Sequence, residues 1–190
     1  MMIQGELVNL RAVEREDVAR ITAWLNEPAT MRGWGWSAAA VSRFEIGQRV
    51  EGWLADEAVV GRPLALVIET LTGEAVGLVV LMPDRAEAHA VELSLLIGDP
   101  ARWGAGLGSD ALETVLDACF AGWNLHRVWL RVEVANERAH CLYQRHGFVH
   151  EGTLREAAFL DGRYQDVAIL GLLAREWLAR DEVPSPDSMR

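Results

Sequence analysis

The sequence predicts an α/β fold: one central twisted, mixed sheet with helices on its faces. In the first half, apolar strands follow one another with only a turn between them, as in hairpins. In the second half, strand and helix patterns alternate, as in crossover connections between strands. Of the 190 residues, 51% are hydrophobic and 24% are charged, which is typical of a globular domain. We expect a single domain over residues 1–180 and a flexible tail at 181–190.

The first half begins with a strand, predicted from the alternation of residues 6–13. A helix follows, with Val18, Ile21 and Leu25 on one face, and Pro28 is expected to end it. A second helix is predicted over residues 37–57, with Ser37 as its cap. Apolar residues at 63–84 predict two strands joined by a turn at Thr72-Gly73, and residues 88–100 contain a third.

The second half begins with a glycine-rich segment and then repeats the helix and strand patterns. The glycines are followed by a helix that ends near Gly122. The remaining elements are a strand at 126–134, a helix at 136–147, a strand at 148–154, a hairpin strand after Asp161-Gly162, and a short helix at 174–180.

The charge of the chain restricts the classes of partner. The formal net charge is −10, which disfavours nucleic acid and suits a cationic or amine substrate. All 18 basic residues are arginine, so Schiff-base chemistry and a phosphate-binding lysine are excluded. Any bound phosphate must therefore be held by main-chain N–H groups and arginine.

The sequence contains no pattern for a membrane span, a secretion signal or a metal site. No apolar run is long enough to cross a bilayer, and no signal peptide is recognisable, so we expect a cytoplasmic protein without a membrane partner. Cys119 and Cys141 lie in apolar helical patterns, which predicts two buried thiols rather than a disulfide. The five histidines lack metal-ligand spacing and are expected on helix surfaces and loops.

Three alternating glycines, Gly104, Gly106 and Gly108, come directly before a helix. Bare main-chain N–H groups and the positive end of a helix dipole form an anion site that fits a diphosphate. Two alternatives are open: a glycine-rich turn that binds nothing, and a dinucleotide fingerprint formed by Gly106, Gly108 and Ala111 with Glu133 as the ribose-binding acid. The position argues against the second, since that fingerprint normally opens a domain.

Two further patterns place polar groups near the glycines. In strand 90–97, Glu92 and Ser94 share one face, while the apolar residues Val91, Leu93, Leu95 and Ile97 share the other. This polar face is either exposed to solvent or lines a cleft, in which case Glu92 is a candidate base. Asn136 and Tyr143 are seven residues apart, so they lie on one stripe of their helix.

Together these segments resemble the GCN5-related N-acetyltransferase (GNAT) family. The resemblance rests on "WGAGLGSDAL", "NLHRVWLRVEVANERAHCLYQRHGFVHEGTLRE" and "DGRYQDVAILGLL". Within the family, it is to the branch that includes the ribosomal-protein N-terminal acetyltransferases. It covers residues 5–180 and is densest from Glu92 onward, and it implies an acyl-CoA N-acyltransferase fold.

The resemblance implies acetyl-CoA as the cosubstrate and assigns residues to it. Main-chain N–H groups of the glycine loop would hold the pyrophosphate, and main-chain groups near Leu95 and Ile97 would pair with the pantetheine arm. Asn136 would contact that arm, and Tyr143 would protonate the departing thiolate. Trp103 departs from the Gln or Arg that the family often has there, although Arg102 is adjacent. The loop residues are Trp103, Gly104, Ala105, Gly106, Leu107, Gly108 and Ser109.

The expected reaction is direct transfer of an acetyl group from acetyl-CoA to a primary amine. Glu92, directly or through water, is the expected base, and no cysteine has a histidine partner that would support a covalent route. The acceptor is either a protein N-terminus or a small amine such as an aminoglycoside or a polyamine. Candidate acceptor-site residues are Trp34, Trp36, Ser94 and Tyr164.

Two other functions are compatible with these patterns. One is a non-catalytic module that binds or senses acyl-CoA, against which the presence of Tyr143 and Glu92 argues. The other is a nicotinamide-dependent oxidoreductase. A homodimer is compatible with the sequence, since Trp34 and Trp36 suit either a pocket wall or a subunit contact.

Overall fold

The computed structural model describes residues 2–33, 40–60, 62–84, 89–160 and 162–182. Its strands are β1 (Met2–Gln4), β2 (Val8–Ala12), β3 (Ala65–Thr70), β4 (Ala75–Pro83), β5 (Ala90–Ile97), β6 (Arg127–Glu133), β7 (Val149–Leu160) and β8 (Arg163–Leu173). They form one sheet in the order β1-β2-β3-β4-β5-β6-β8-β7. β5 and β6 pair in parallel, and the other neighbours pair antiparallel. The predicted mixed α/β fold is confirmed.

In the described ranges, six α-helices pack on this sheet or follow its strands. They are α1 (Val18–Leu25), α2 (Pro28–Gly33), α3 (Arg43–Val60), α4 (Leu107–Asp117), α5 (Glu137–Arg145) and α6 (Ala174–Leu178). Short 3₁₀ segments occur at Arg15–Asp17, Pro100–Arg102 and Ala179–Glu182, and a π-helical turn at Ala118–Gly122 extends α4. None of the helices in the described ranges has the length and apolar run needed to cross a bilayer.

Three boundaries near the N-terminus differ from the prediction. The first strand is a hairpin, because a turn in which the Gly5 amide donates to the Val8 carbonyl at 2.8 Å separates β1 from β2. Pro28, expected to end the first helix, is instead the first residue of α2. Proline is tolerated there because the first helical position needs no N–H donor. The Ser42 hydroxyl accepts from the Glu45 amide at 3.1 Å and caps α3, whereas Ser37 lies outside the described residues.

The sheet has an apolar cluster on each face. Helices α4 and α5 cover one face and α1 and α3 the other, so each strand alternates between two cores. On β5, Val91 and Leu93 are buried on the α4 face and Leu96 is buried on the α3 face. This confirms the alternation predicted for residues 90–97. Burying one large aliphatic side chain contributes about 1.5–3 kcal/mol, so both faces hold β5 firmly in place.

The parallel pair β5–β6 separates after three residues. Pairing covers Ala90, Val91 and Glu92 against Arg127, Val128 and Trp129. Beyond this point β6 continues to pair with β8 as far as Glu133, and β5 continues to pair with β4. The facing edges of β5 and β6 therefore lie open to one another in the middle of the sheet.

Candidate active site

The glycine loop has left-handed backbone conformations at two of its glycines. Gly104 has φ +82° and Gly106 has φ +85°, a region that other residues occupy at a cost of about 1–2 kcal/mol. Gly106 is the N-cap of α4, and with no side chain it cannot cap the helix itself. The main chain therefore enters α4 with its first N–H groups uncovered.

The amides at the start of α4 fit an anion. The Gly106 carbonyl accepts from the Ser109 and Asp110 amides at 3.0 Å each. The amides of Gly106, Leu107 and Gly108, by contrast, donate to no acceptor in the part of the chain described. Unpaired amides at the positive end of an 11-residue helix form a site for phosphate oxygens. The residues present therefore fit the diphosphate of coenzyme A.

Asp110 is the acidic residue in the first turn of α4, and its carboxylate binds main-chain amides outside the glycine loop. Its two carboxylate oxygens accept from the amides of Glu6, Leu7 and Val8 at 3.0, 2.8 and 2.8 Å. These contacts join α4 to the β1–β2 turn. The negative charge is thereby turned toward a second set of main-chain donors, away from the glycine loop.

Trp103 and Arg138 stand beside the loop. The Trp103 indole nitrogen donates to the Ile97 carbonyl at 2.9 Å, which attaches the loop to the end of β5. The Arg138 guanidinium, from the first turn of α5, lies 3.7 Å from the centroid of the Trp103 ring. Arg102 instead forms an ion pair with Glu74 at 2.6 Å. Sequence analysis singled out Arg102 as the cation near the loop and missed Arg138.

His146 is buried, contrary to the expectation that the histidines lie on surfaces and loops. Its Nδ1 lies 2.8 Å from the Leu142 carbonyl and its Nε2 lies 3.2 Å from the Ser109 hydroxyl. A carbonyl only accepts, so Nδ1 carries the proton. In the neutral ring, Nε2 accepts from Ser109, and this bond joins α5 to the start of α4.

The open edge of β5 carries the main-chain groups predicted to pair with the pantetheine arm. The Gly98 amide donates to the Val76 carbonyl at 2.9 Å, and pairing with β4 alternates from there. Because hydrogen-bonded pairs alternate in an antiparallel ladder, the main-chain groups of Leu95 and Ile97 point away from β4. They face the gap between β5 and β6. The Ile97 carbonyl is the one that Trp103 occupies.

A cavity of about 510 Å³ lies on the opposite, α3 face of the sheet. Its polar lining comes from the strands flanking the gap and from α3: Glu92, Ser94, Arg131, Glu133, Arg49 and Asp56. Apolar walls come from α1, α3, β4 and β7, including Leu25, Trp53, Val80 and Leu154. The cavity thus combines carboxylates and guanidinium groups with a largely apolar wall, as small-molecule sites do.

Glu92 and Ser94 both line this cavity, so their face of β5 forms a pocket wall. Glu92 is in a two-bond ion pair with Arg131: Nε–Oε1 is 2.7 Å and Nη2–Oε2 is 3.1 Å. The pair lies at the end of the parallel pairing: Glu92 is in register with Trp129, and Arg131 lies two residues further along β6. Both oxygens of the predicted base therefore accept from a permanently charged group.

Glu133 is a candidate site residue that sequence analysis did not assign to acetyl transfer. It is the last residue of β6, is only 6% exposed, and lines the cavity. Burial raises the pKa of its carboxyl. The alternation of β6 places Glu133 and Arg131 on the same face of the strand. It does not indicate that Glu133 would be buried and Arg131 exposed.

Tyr143 lies in α5, and Asn136, seven residues earlier, is the N-cap of that helix. The Asn136 side chain accepts from the Ala139 amide at 3.2 Å and caps the helix. Tyr143 is 7% exposed and packs edge-on against Phe148, with ring centroids 5.5 Å apart. Burial first, and the charge of Glu133 second, raise the pKa of Tyr143. The Tyr143 hydroxyl therefore stays protonated, and the negative charge of Glu133 acts on it.

Of the remaining predicted acceptor residues, only Tyr164 is described, and it does not line the cavity. Tyr164 is 67% exposed and packs against Phe159 in the β7–β8 hairpin, with ring centroids 5.0 Å apart and planes tilted by 60°. Trp34 and Trp36 lie outside the described residues, as does Asp161 of the predicted turn. Within the described ranges, no group of three or more His, Cys, Asp or Glu side chains is arranged to hold a metal ion.

Two spermidine N(1)-acetyltransferases match most of the chain. The spermidine N(1)-acetyltransferase of Vibrio cholerae is 31% identical over 175 residues, covering 92% of this chain and 98% of the relative. That of Escherichia coli K12 is 28% identical over 183 residues, covering 96% and 95%. The putative ribosomal N-acetyltransferase YdaF of Bacillus subtilis is 31% identical over only 74 residues, 39% of this chain and 40% of the relative.

Solved structures give the same result. The V. cholerae spermidine N-acetyltransferase in complex with CoA and spermine superposes with a TM-score of 0.81 and 30% identity, covering 90% of this chain and 98% of that one. A dodecameric structure of the V. cholerae enzyme gives 0.76 and 30%, covering 92% and 98%. In addition, residues 8–149 match the family described as the acetyltransferase (GNAT) domain. The chain therefore belongs to the GNAT family and is an acetyl-CoA-dependent N-acetyltransferase, as its motifs predicted.

Proposed function

We propose that the acceptor is a polyamine, spermidine or a close analogue, acetylated on a primary amine. The observation that carries this proposal is similarity to spermidine acetyltransferases over almost the whole of both chains. The net charge of −10 also favours a polycation, because it raises the local concentration of cationic ligands. A protein N-terminus is less well supported, since the match to a putative ribosomal acetyltransferase covers 39% of the chain.

The cavity on the α3 face has the chemistry that a polyamine needs. Carboxylates of Asp56, Glu92 and Glu133 line it, and they suit ammonium groups. The apolar walls between them suit the methylene segments that separate the nitrogens of a polyamine. Amine recognition would therefore combine charge with burial of hydrocarbon.

The cosubstrate would bind on the other face, where the glycine loop meets α4. The free amides of Gly106, Leu107 and Gly108 would hold its diphosphate, and the main chain of Leu95 and Ile97 would line its arm. Acetyl-CoA, when bound, supplies the acetyl thioester for transfer. Cosubstrate and acceptor would then approach the sheet from opposite faces and meet at the gap between β5 and β6.

One acid and one base would move protons at that gap. Tyr143, buried and protonated, would act as the acid for the leaving sulfur, as its position in the motif predicts. Glu92, the predicted base, lines the acceptor cavity but shares its carboxylate with Arg131. In this arrangement, the ion pair orients Glu92 and sets one wall of the pocket.

Arg49 and Arg131 in the same cavity favour a second candidate, an amine that also carries a carboxylate. A guanidinium binds a carboxylate through two parallel hydrogen bonds, which a polyamine cannot use. Arg131 is paired with Glu92 and Arg49 with Glu45 at 2.6 Å, so the cavity is mixed rather than uniformly acidic. An amino acid would place its acid group at these arginines.

Release of free thiol from acetyl-CoA, measured against a panel of amines, tests the proposal. The panel contains spermidine, spermine, an aminoglycoside, an acidic amino acid and a peptide with the N-terminus of a ribosomal protein. We expect kcat/KM to be highest for spermidine or spermine, with a product of one added acetyl group by mass spectrometry. A higher kcat/KM for the amino acid or the peptide would overturn the polyamine assignment.

We also propose that the chain forms an oligomer. The V. cholerae relative is described as dodecameric. The β7–β8 hairpin at the edge of the sheet exposes Phe159 and Tyr164, which suits a subunit contact. Light scattering after gel filtration would show a mass above that of one chain, and a monomer at micromolar concentration would contradict the proposal.

A further inference from the structure

Glu133 occupies the end of β6 that faces the gap. It lies four residues beyond Trp129, the last residue of β6 that pairs with β5, which is about 13 Å along the strand. Glu92 pairs in register with Trp129 and so lies at the closed end of the gap. Of the two glutamates in the cavity, Glu133 therefore lies further into the gap between β5 and β6. Through this gap, one face of the sheet is open to the other.

The two glutamates also differ in their partners. Glu92 accepts two hydrogen bonds from Arg131. No arginine among the described residues bonds to the Glu133 carboxylate, although its side chain is almost fully buried. A buried carboxylate that is not in an ion pair binds a proton, or a cationic ligand, more readily than a paired one.

Charged and titratable groups face Glu133 from the elements around the cavity. β5 contributes Glu92, β6 contributes Arg131, α3 contributes Arg49 and Asp56, and α5 contributes Tyr143. β7 and β8 face the cavity with apolar side chains, Leu154 and Val167 among them. Because the arginines are engaged by Glu92 and Glu45, the negative charge at the open end of the gap is that of Glu133.

We infer that Glu133, rather than Glu92, takes the proton from the acceptor amine. It lines the acceptor cavity, and its charge acts on Tyr143 across the gap. Burial raises the pKa of Glu133, and a base whose pKa lies nearer the working pH accepts a proton more effectively. An acid and a base thus stand at one opening, reached from opposite faces of the sheet.

The proton movements balance as follows. The ammonium group of the acceptor gives a proton to the Glu133 carboxylate, and its freed electron pair forms the N–C bond as the C–S bond breaks. Tyr143 donates its hydroxyl proton to the sulfur. The nitrogen then loses a second proton, which restores Tyr143. The proton on Glu133 then passes to solvent. One catalytic turnover therefore yields the amide, the free thiol and one proton.

Paired variants test this assignment through the pH dependence of kcat. Glu133→Gln keeps the shape of the side chain, and we expect kcat to fall about 10²-fold or more, with the ascending limb of the pH profile lost. Glu92→Gln, the matched variant, is expected to retain that limb, with its main effect on the KM of the acceptor. The inference is overturned if Glu92→Gln loses the limb and Glu133→Gln keeps it.

Two checks exclude trivial explanations. Thermal melting of Glu133→Gln should match the wild type within a few degrees, because the substitution removes a buried charge and no ion pair. A ¹³C NMR titration of the glutamate carboxyls, with Glu133 assigned by its absence in the variant, needs no acceptor. We expect its midpoint above the ordinary value of 4.5, and a midpoint at or below 4.5 would contradict the inference.

The inference rests on acetyl transfer to an amine and is independent of which amine is used. If the wild type ignores spermidine and acetylates another member of the panel, the polyamine proposal fails. The two glutamate variants are then compared with that other amine, and their pH profiles decide the role of Glu133 in the same way.

Discussion

The guanidinium of Arg138 lies 3.7 Å above the ring of Trp103, whose indole nitrogen donates to the Ile97 carbonyl at 2.9 Å. The first contact joins α5 to the glycine loop, and the second joins the loop to β5. Partial burial lowers the pKa of Arg138, and no carboxylate in the described ranges offsets its charge. A cation is thereby held against Trp103, the first residue of the glycine loop.

This position predicts that Arg138 binds a phosphate of the cosubstrate. For Arg138→Gln we expect the KM of acetyl-CoA to rise about tenfold, because a hydrogen bond to a charged group contributes about 1.5–3 kcal/mol. The KM of the acceptor should change little. Initial rates with each substrate varied in turn provide the measurement.

Arg145→Gln is the matched control, since Arg145 lies on the same helix and donates to the Cys141 carbonyl at its exposed surface. It removes the same charge from α5 two turns away from the loop. Equal effects of the two substitutions on the KM of acetyl-CoA would show that only the overall charge of the helix matters.

Tyr143→Phe should lower kcat on the order of 10²-fold while leaving both KM values near those of the wild type. The ring contact with Phe148 at 5.5 Å is kept, so the melting temperature should hold. Because burial and then Glu133 raise the pKa of Tyr143 above 10.0, ionisation of the phenol should not reduce the rate below pH 10. A variant with wild-type kcat would remove Tyr143 from the reaction.

Local periodicity explains which features could be predicted from sequence. The alternation of strand 90–97 placed Glu92 and Ser94 on the cavity wall, because side-chain direction in a strand depends only on position. The position of the glycines directly before α4 was likewise readable from the sequence, and the left-handed conformations of Gly104 and Gly106 are ones that glycine adopts without strain. Family membership then decided against the dinucleotide and binding-module alternatives, which the loop alone leaves open.

Features that depend on how strands pair could not be predicted. The Glu92–Arg131 ion pair and the burial of Glu133 both follow from the three-residue parallel register of β5 and β6. No pattern within either strand specifies where two parallel strands separate. Arg138 was missed for a similar reason, since its contact with Trp103 crosses from α5 to a loop 35 residues earlier in sequence.

Asp17 provides a test of stability away from the site. It is 4% exposed in its side chain, bonds to Arg11 at 2.7 and 2.8 Å, and accepts from the Glu14 amide at 2.9 Å. Breaking such a buried pair costs about 3–5 kcal/mol, less where a polar isostere remains. We expect Asp17→Asn to lower the free energy of unfolding by about 2–4 kcal/mol, measured by urea denaturation.

The pH dependence of that difference has a definite sign. Burial alone would raise the pKa of Asp17, but the bonds from Arg11 and Glu14 outweigh it and lower the pKa below the ordinary 3.8. The contribution of the ionised Asp17 carboxylate to stability is therefore complete above pH 3.8. It is lost as the pH falls through the pKa of Asp17 in the folded protein. The difference in the free energy of unfolding between wild type and Asp17→Asn should be constant near neutral pH and should disappear only in strong acid.

Glu51→Gln is the surface control for Asp17, because the Arg15–Glu51 pair is exposed on both sides. Exposed ion pairs are screened by salt and add little to stability. Unfolding curves of this variant should overlay the wild type at moderate ionic strength. A loss as large as that of Asp17→Asn would show that charge balance, rather than burial, sets the effect.

The two cysteines should react differently, because the prediction of two buried thiols is wrong for one of them: Cys119 is buried and Cys141 is exposed. Burial raises the pKa of Cys119 to about 12, so its thiolate is absent at pH 8. Iodoacetamide should add one group to the native protein and two to the unfolded protein, counted by intact mass. Residues two apart do not face each other on a helix, so Cys141→Ser should keep full activity despite its closeness to Tyr143. Loss of turnover in that variant would instead favour transfer through a cysteine thioester.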